Sequence, residues 1–278
     1  MLFHRLKSHL GHLKYQLSGT TTLGARRYRM RGYMPYRFAA GSSHEPNVQA
    51  AIARTLKECP GVFIDVGANC GQTLVAVLSA DPQRHYVGFE PQIACCHYIE
   101  QFIKDNDLRQ ARILPIALSD GTRLLPFFSD SDHDLMASLS PSHRANQSTP
   151  ARIKSFVCSR IGDEVLSELG IDSIAAIKID VEGAELSVLK GLSVTLKRER
   201  PTLFFEVLPN FVGDDRKRLA EPWCVKNRAV AHEMYQLLAS LDYKIFQLHE
   251  RDGETPAEKF NLDDSDTFGG LNYVARAS

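Results

Sequence analysis

The sequence predicts an α/β fold built around a mostly parallel, doubly wound sheet of seven strands. Short runs rich in β-forming residues alternate with helical segments, which is typical of βαβ units. The run Val62–Val66 is almost continuously apolar and leads into a turn with glycines at both ends, Gly67–Gly71. Such a strand is expected inside a parallel sheet, because helices cover both of its faces. A second strand, Tyr86–Phe89, ends in an acid at the distance of one βαβ step.

The predicted elements follow one another with short connections. We divide the chain into a basic N-terminal extension, residues 1–45, and one domain, residues 46–278. Strands are predicted at 62–66, 85–89, 111–117, 174–180, 203–207, 243–248 and 271–275. Helices are predicted at 47–58, 72–80, 92–105, 161–169, 184–197 and 225–241. Two further short strands are predicted at 124–128 and 156–157, and the second is expected to resume the main sheet. The polar segment 129–150 between them is predicted to be a lid or acceptor-binding loop.

The first 40 residues differ in charge from the rest of the chain. They hold eight Lys or Arg and no acid, although the whole chain carries 33 basic and 33 acidic residues, so the domain is acidic overall. Leucines at helical spacing over 2–17 predict a helix, followed by a break at 19–24 and an irregular segment at 26–37. Either the helix packs on the domain, or it is a basic arm that contacts an anionic membrane or a lipid-linked acceptor.

Composition excludes several classes of protein. None of the six cysteines forms a C-x-x-C pair, which argues against a zinc site and favours reduced thiols. No apolar run has the length needed to span a bilayer, and the N-terminus lacks the apolar core of a signal peptide. We therefore expect a cytoplasmic protein, with residues 1–40 as the candidate for peripheral contact with the inner face of the membrane.

The turn after the first strand predicts a nucleotide-type ligand site. Gly67 lets the ligand approach the backbone without an intervening side chain, and Gly71 lets the next helix pack close to the strand. Asn69 stands where a dinucleotide site has its middle glycine, and an acid at the strand end, Asp65, suits a ligand with a cationic group. Glu90 can accept hydrogen bonds from both hydroxyls of a ribose. These five residues are therefore predicted to bind S-adenosylmethionine rather than a dinucleotide.

Further acids are predicted at the same edge of the sheet, where doubly wound folds bind ligands. Ser119 and Asp120 follow the third strand and are expected near the adenine of the ligand. Lys178 and Asp180 point to the same face of the fourth strand, because side chains alternate. A lysine inside a central strand needs a partner, and Glu206 on the next strand is the expected one.

Several of these motifs together resemble one family, the FkbM-type methyltransferases. The motifs are Asp65–Gly71, Phe89–Pro91, Ala117–Asp120, Lys178–Glu185, Leu189–Gly191 and Pro201–Glu206. The resemblance covers about residues 60–275. It implies a Rossmann-like class I methyltransferase fold, S-adenosylmethionine as donor, and an oxygen acceptor such as a hydroxyl on a sugar, glycolipid or natural product. Carried over by position, the donor turn is Asp65–Gly71 and the ribose acid is Glu90.

Methylation of an alkyl hydroxyl needs help from a base or a metal, because the hydroxyl is a poor nucleophile. The candidate catalytic residues are Asp180 as first choice of base, Glu206 as second, and Lys178 as their partner. Alternatively, Asp180, Glu182 and Glu206 hold Mg²⁺, which prefers oxygen ligands.

Two other functions stay open from the sequence. One is a nucleic-acid-directed methyltransferase that uses the basic arm on phosphates, although the acidic domain and the few aromatic residues of the arm argue against it. The other is a protein that binds S-adenosylmethionine without catalysis.

Overall fold

The structure is a computed structural model that describes residues 18–23, 26–31, 45–128, 153–208, 222–249, 253–260, 262 and 272–278. The strands are β1 (Ser18–Leu23), β2 (Arg26–Arg31), β3 (Val62–Val66), β4 (Tyr86–Phe89), β5 (Ala111–Leu114), β6 (Ala117–Ser119), β7 (Arg123–Phe128), β8 (Ile153–Ile161), β9 (Ile174–Ile179), β10 (Thr202–Glu206), β11 (Tyr243–Leu248), β12 (Glu254–Pro256) and β13 (Asn272–Ala277). The helices are α1 (Pro46–Glu58), α2 (Gln72–Ala80), α3 (Ile93–Asp105), α4 (Gly162–Glu168), α5 (Glu185–Gly191), α6 (Ser193–Glu199) and α7 (Pro222–Ser240).

The main sheet has the order β12-β11-β13-β10-β9-β3-β4-β5. It contains all seven predicted strands, and the three-residue strand β12 adds an eighth at one edge. Strands β5, β4, β3, β9 and β10 are parallel, whereas β13 lies antiparallel between β10 and β11. This is the Rossmann strand order with the last strand inserted antiparallel, and the order reverses between β3 and β9. A ligand site is expected at that reversal.

Alternating side chains divide the interior into two cores, one on each face of the sheet. On one face Ile64, Ile177 and Phe205 pack with α4 to α7. On the other face Phe63 and Phe204 pack with α1 to α3.

The helix predicted over 184–197 is two helices that meet at Leu192. Asp163, on α4, accepts hydrogen bonds from the backbone N–H groups of Val194 (2.9 Å) and Thr195 (2.8 Å). A carboxylate from a distant element therefore caps a new helix start. This contact is invisible in the local sequence.

The strand predicted at 111–117 is also divided. Residues 111–114 form β5, whereas β6 leaves the main sheet and joins a separate three-stranded sheet of order β6-β8-β7. The expectation that residues 156–157 resume the main sheet is wrong, because β8 pairs with β6 and β7 instead.

The predictions of a break at 19–24 and an irregular segment at 26–37 are wrong where the structure describes them. Strands β1 and β2 pair as an antiparallel hairpin. Tyr28 and Met30 are buried, and the Tyr28 ring lies 5.7 Å from that of Phe102 on α3. Two hydrogen bonds of 2.7 Å join the backbone of Arg29 to the side chain of Asn106. Arginines alternate with buried residues along β2, so this part of the extension belongs to the core.

The helix predicted at 2–17 and the loop predicted at 129–150 lie outside the described residues. Among the helices that are described, none is long and apolar enough to cross a membrane.

Candidate functional site

One face of the sheet carries a row of polar side chains where its strands end. Asp65 pairs in register with Lys178, which stands opposite Phe204. Two residues further along their strands come Asp180 and Glu206, and alternation places them on this same face, which α1 and α2 cover. The sequence-predicted acids of β3, β9 and β10 are thus brought together.

The donor turn is held by a close contact between two strand ends. Gly67 has φ +87°, and a Cβ added there would lie 1.9 Å from the backbone oxygen of Asp180. Only glycine fits this position, because any side chain would collide with backbone. The N–H of Asp180 also donates to the carbonyl of Val66 (2.9 Å). Asp180 is therefore fixed against the turn, and Gly71, with φ +92°, begins α2.

Asp65 is completely buried at the start of the turn. The hydroxyl of Tyr86 donates to its Oδ2 atom, and among the described residues its Oδ1 atom has no hydrogen-bond partner. Burial raises the pKa of Asp65 to about 6, although the nearby Lys178 charge opposes that rise. Tyr86 reaches Asp65 by lying over Gly88, where an added Cβ would stand 3.0 Å from the tyrosine ring.

Glu90 follows β4 and orders the backbone around it. Its two oxygens accept hydrogen bonds from the N–H groups of Asn69 (2.9 Å) and Gln92 (2.8 Å). Burial raises the pKa of Glu90 to about 7, against the effect of these two bonds. Ile93, three residues after Glu90, begins α3 and is 67% exposed.

Lys178 forms its ion pair with Asp180 and not with Glu206, so the predicted pair is wrong. The Nζ atom of Lys178 lies 2.6 Å from Oδ2 of Asp180, with 9% and 28% of the two side chains exposed. Glu206 stands two residues beyond the position opposite Lys178, at the level of Asp180.

The charge of Lys178 is shared among several acids. Burial by itself would lower the pKa of this ammonium group, but nearby carboxylates outweigh burial and raise it. They belong to Asp180, Glu45 and Asp65.

Glu206 has acids as neighbours. Burial, and then the charges around it, raise its pKa well above the usual range. Those charges belong to Asp180, Glu182, Glu45 and Glu185. Burial and these charges both favour the neutral form of the Glu206 carboxyl.

The remaining acids of the Lys178–Glu185 motif shape the loop after β9. The carboxylate of Glu185 accepts hydrogen bonds from the N–H groups of Gly183 (3.0 Å) and Val181 (3.3 Å). Glu182 has φ +54°, a left-handed conformation in the same turn. In the described part of the chain, no group of three or more His, Cys, Asp or Glu is arranged to hold a metal ion. Nothing therefore supports the predicted Mg²⁺ site at Asp180, Glu182 and Glu206.

Ser119 and Asp120 end β6 at the edge of the smaller sheet. Asp120 forms an ion pair with Arg123 (2.6 Å). Ser119 is buried, and its carbonyl lies so close to Gly191 on α5 that an added Cβ there would approach it to 1.9 Å. A place beside adenine stays a prediction for both residues.

The comparison with protein families identifies the family of this chain. The profile of the Methyltransferase FkbM domain matches residues 65–245, which contain every predicted site residue. The chain belongs to the FkbM methyltransferase family. The predicted Rossmann-like class I methyltransferase fold is confirmed by the strand order of the main sheet.

Relatives of this FkbM methyltransferase are distant. It is 26% identical over 162 residues to the 2-O-methyltransferase NoeI of Sinorhizobium fredii, a match that covers 55% of this chain and 66% of NoeI, slightly less than two thirds of its length. It is similar to the crystal structure of FkbM from Methylobacillus flagellatus, with 15% identity, a TM-score of 0.44, and coverage of 78% and 43% of the two chains. It is also similar to an O-methyltransferase from Bacillus cereus, with 10% identity, a TM-score of 0.43, and coverage of 84% and 80%.

Besides Ile93, three site residues of this FkbM methyltransferase were not predicted from the sequence. Tyr86 begins β4, Glu45 precedes α1, and Asn272 begins β13. The Gly88 that follows Tyr86 by two residues was the available signal for the first, since a glycine inside a strand marks a close approach. Glu45 and Asn272 are hydrogen-bonded although they lie 227 residues apart in the chain, and no local sequence pattern predicts such a pair.

Proposed function

We propose that this FkbM methyltransferase methylates a hydroxyl group of a sugar or glycan, with Asp180 as the base that accepts the hydroxyl proton. The observation that carries the proposal is the contact between Asp180 and Gly67. The backbone oxygen of Asp180 occupies the space in which Gly67 would carry a side chain. The proposed base is therefore fixed against the turn that is proposed to hold the methyl donor, so this contact sets the position of the base relative to the donor.

The donor side is assigned to the β3 and β4 strand ends. The buried Oδ1 atom of Asp65, which has no hydrogen-bond partner among the described residues, fits a cationic group. The backbone at Gly67, which carries no side chain, fits close approach by a ligand. Glu90 is proposed to accept ribose hydroxyls, since a carboxylate has more acceptor positions than the two that Asn69 and Gln92 fill. Ile93 would cover a flat base. S-Adenosylmethionine supplies a methyl group already activated on a sulfonium.

The acceptor side is assigned to Asp180. The Nζ atom of Lys178 lies 2.6 Å from its Oδ2 atom, and 28% exposure of the Asp180 side chain leaves it accessible to an acceptor. An ionised carboxylate at hydrogen-bond distance from a hydroxyl can take its proton as the oxygen forms its new bond.

The acceptor class is supported by the relative NoeI, whose name describes a 2-O-methyltransferase. We propose a sugar hydroxyl on a small glycan or glycolipid. Residues 129–150 and the N-terminal extension are proposed to bind that acceptor, because the donor turn and Asp180 are complete without them.

The test pairs two variants with radiolabelled donor and a glycan and glycolipid extract of the source organism. Asp180→Asn should lose at least about a hundredfold in turnover, the lower range for a general base, while its affinity for S-adenosylhomocysteine by calorimetry stays near that of the wild type. Glu90→Ala should weaken that affinity by about 2–4 kcal/mol, because charge-assisted bonds are lost. Glu100→Ala, which removes an exposed acid from the same helix α3, is the matched control.

Two results would contradict this assignment. Label found only in nucleic acid would favour the nucleic-acid-directed alternative. Full turnover in Asp180→Asn would remove Asp180 as the base.

A further inference from the structure

Tyr86 is an internal residue of the sheet whose hydroxyl reaches the start of the donor turn. It begins β4 and is 0% exposed. Its ring stacks on that of Phe63, its register partner on β3, with the two ring centroids 6.3 Å apart. Its hydroxyl donates a hydrogen bond to Oδ2 of Asp65, two residues further along β3. Packing therefore fixes the tyrosine ring, and the hydrogen bond fixes the carboxylate.

The path of this side chain depends on a glycine. Gly88 follows Tyr86 by two residues, so it lies on the same face of β4, and it stands opposite Asp65 in register. A Cβ added at Gly88 would lie 3.0 Å from Cε1 and 3.1 Å from the hydroxyl oxygen of Tyr86. The hydroxyl therefore fills the space that a side chain at residue 88 would take, which brings it level with Asp65.

The hydrogen bond from Tyr86 leaves the other oxygen of Asp65 available. Its Oδ1 atom is buried and accepts no hydrogen bond from the described residues. Burial raises the pKa of Asp65 to about 6, although Lys178, Tyr86 and Thr73 oppose that rise, so the carboxyl is mostly ionised at pH 8. A buried carboxylate oxygen that neither water nor a neighbouring group satisfies costs free energy. Such an atom, two residues before Gly67, indicates a ligand that donates hydrogen bonds.

We propose that Tyr86 is a positioning residue of the donor site, which holds Oδ2 of Asp65 so that Oδ1 is left for the ammonium group of the methyl donor. This rests on the proposed function, in which S-adenosylmethionine binds at the turn after β3. Of the two cationic groups of that donor, the sulfonium carries no N–H, whereas an ammonium has three hydrogen-bond donors. A carboxylate oxygen that lacks a hydrogen bond therefore suits the ammonium.

The effect of Tyr86 should appear only in contacts made by the amino group of the ligand, because Tyr86 acts through Asp65. S-Adenosylhomocysteine keeps the ammonium group and lacks the sulfonium charge. Its deaminated analogue, in which hydrogen replaces the amino group, keeps the adenosine, the thioether and the carboxylate. The two ligands therefore differ in the one group that Asp65 is proposed to bind.

Calorimetry at pH 8 with these two ligands tests the proposal. Tyr86→Phe removes only the hydroxyl, and it should weaken the binding of S-adenosylhomocysteine about five- to fiftyfold while changing that of the analogue less than about twofold. Gly88→Ala, which keeps the hydroxyl but crowds it, should act in the same direction. Tyr243→Phe, which removes a buried hydroxyl bound to the carbonyl of Pro201 (3.1 Å), is the matched control and should change neither affinity.

A double-variant cycle shows whether Tyr86 acts through Asp65. In protein that carries Asp65→Asn, adding Tyr86→Phe should weaken the binding of S-adenosylhomocysteine much less than it does alone. If Tyr86→Phe does not fold, Gly88→Ala takes its place in both measurements. Unchanged affinity, equal losses for the two ligands, or equal losses in the two backgrounds would overturn the role of Tyr86 and leave the donor site in place. A wild-type protein that binds neither ligand would contradict the proposed donor site, and this role with it.

Discussion

Removing Lys178 tests the electrostatic arrangement of the whole site. Lys178 is 7% exposed, and its charge serves Asp180 directly and Asp65 and Glu45 at longer range. The variant Lys178→Met keeps the length and apolar stem of the side chain and removes only the charge. Breaking a buried ion pair from one side costs about 3–5 kcal/mol, because the partner stays charged.

Exposure reduces that cost here. Because 28% of the Asp180 side chain is exposed, water stabilises part of its charge, and we expect a loss of about 2–4 kcal/mol. For a chain of this size that corresponds to a fall in Tm of about 4–16 °C. Urea unfolding at pH 8 and calorimetric Tm measure both quantities.

The loss should depend on pH with a definite sign. Burial raises the pKa of Asp65 above its unfolded value, to about 6, so the folded state binds its proton more tightly than the unfolded chain does. The cost of burying this group is therefore fully present above pH 6 and is relieved as the pH falls from about 6 to 4. Without Lys178 the pKa of Asp65 rises further, so Lys178→Met should be less destabilised at pH 5 than at pH 8.

Two comparisons make the reasoning refutable. Lys190→Met removes a lysine whose ion pair with Glu233 has 43% and 53% of the side chains exposed, so it should cost at most about 1 kcal/mol. Adding Asp180→Asn to Lys178→Met should recover part of the loss, since it removes the unpaired charge. Equal losses in the two lysine variants, or strictly additive losses in the double variant, would refute the argument.

The remaining predictions concern the frame of the site. Gly88→Ala should lower the free energy of unfolding in urea by about 1–3 kcal/mol, because the added Cβ would press on Tyr86 and Ile113. Gly253→Ala, whose Cβ would meet nothing within 4 Å, should leave that free energy nearly unchanged. Similar losses in the two variants would show that the Tyr86 contact is unimportant. If residues 1–17 bind the acceptor, deleting them should leave Tm near wild type and reduce binding to anionic vesicles. Deleting residues 1–31 should lower Tm, because Tyr28 and Met30 are then lost from the core. A large fall in Tm in the shorter deletion would mean that residues 1–17 are structural.

The sequence by itself determined the order of elements and the edge at which the site lies. Apolar runs such as Val62–Val66 and the alternating helices predict a parallel sheet, because burial on both faces leaves a local pattern. Gly67 and the strand-end acids then mark the carboxyl edge, since glycine is needed where backbones approach closely. The seven strands and the grouping of Asp65, Asp180 and Glu206 follow from these local signals.

Only the tertiary structure decided which charges meet. Lys178 pairs with Asp180, two residues ahead on its own strand, and not with Glu206, which lies level with Asp180 on the neighbouring strand. Asp163, which lies on α4, caps the start of α6 and so divides the helix predicted over 184–197. Glu45 joins the site through a hydrogen bond with Asn272, which lies 227 residues away in the chain. Periodicity records whether a residue is buried, but it does not record which of two acids on the same face of the sheet a lysine contacts, because that depends on how the side chains pack.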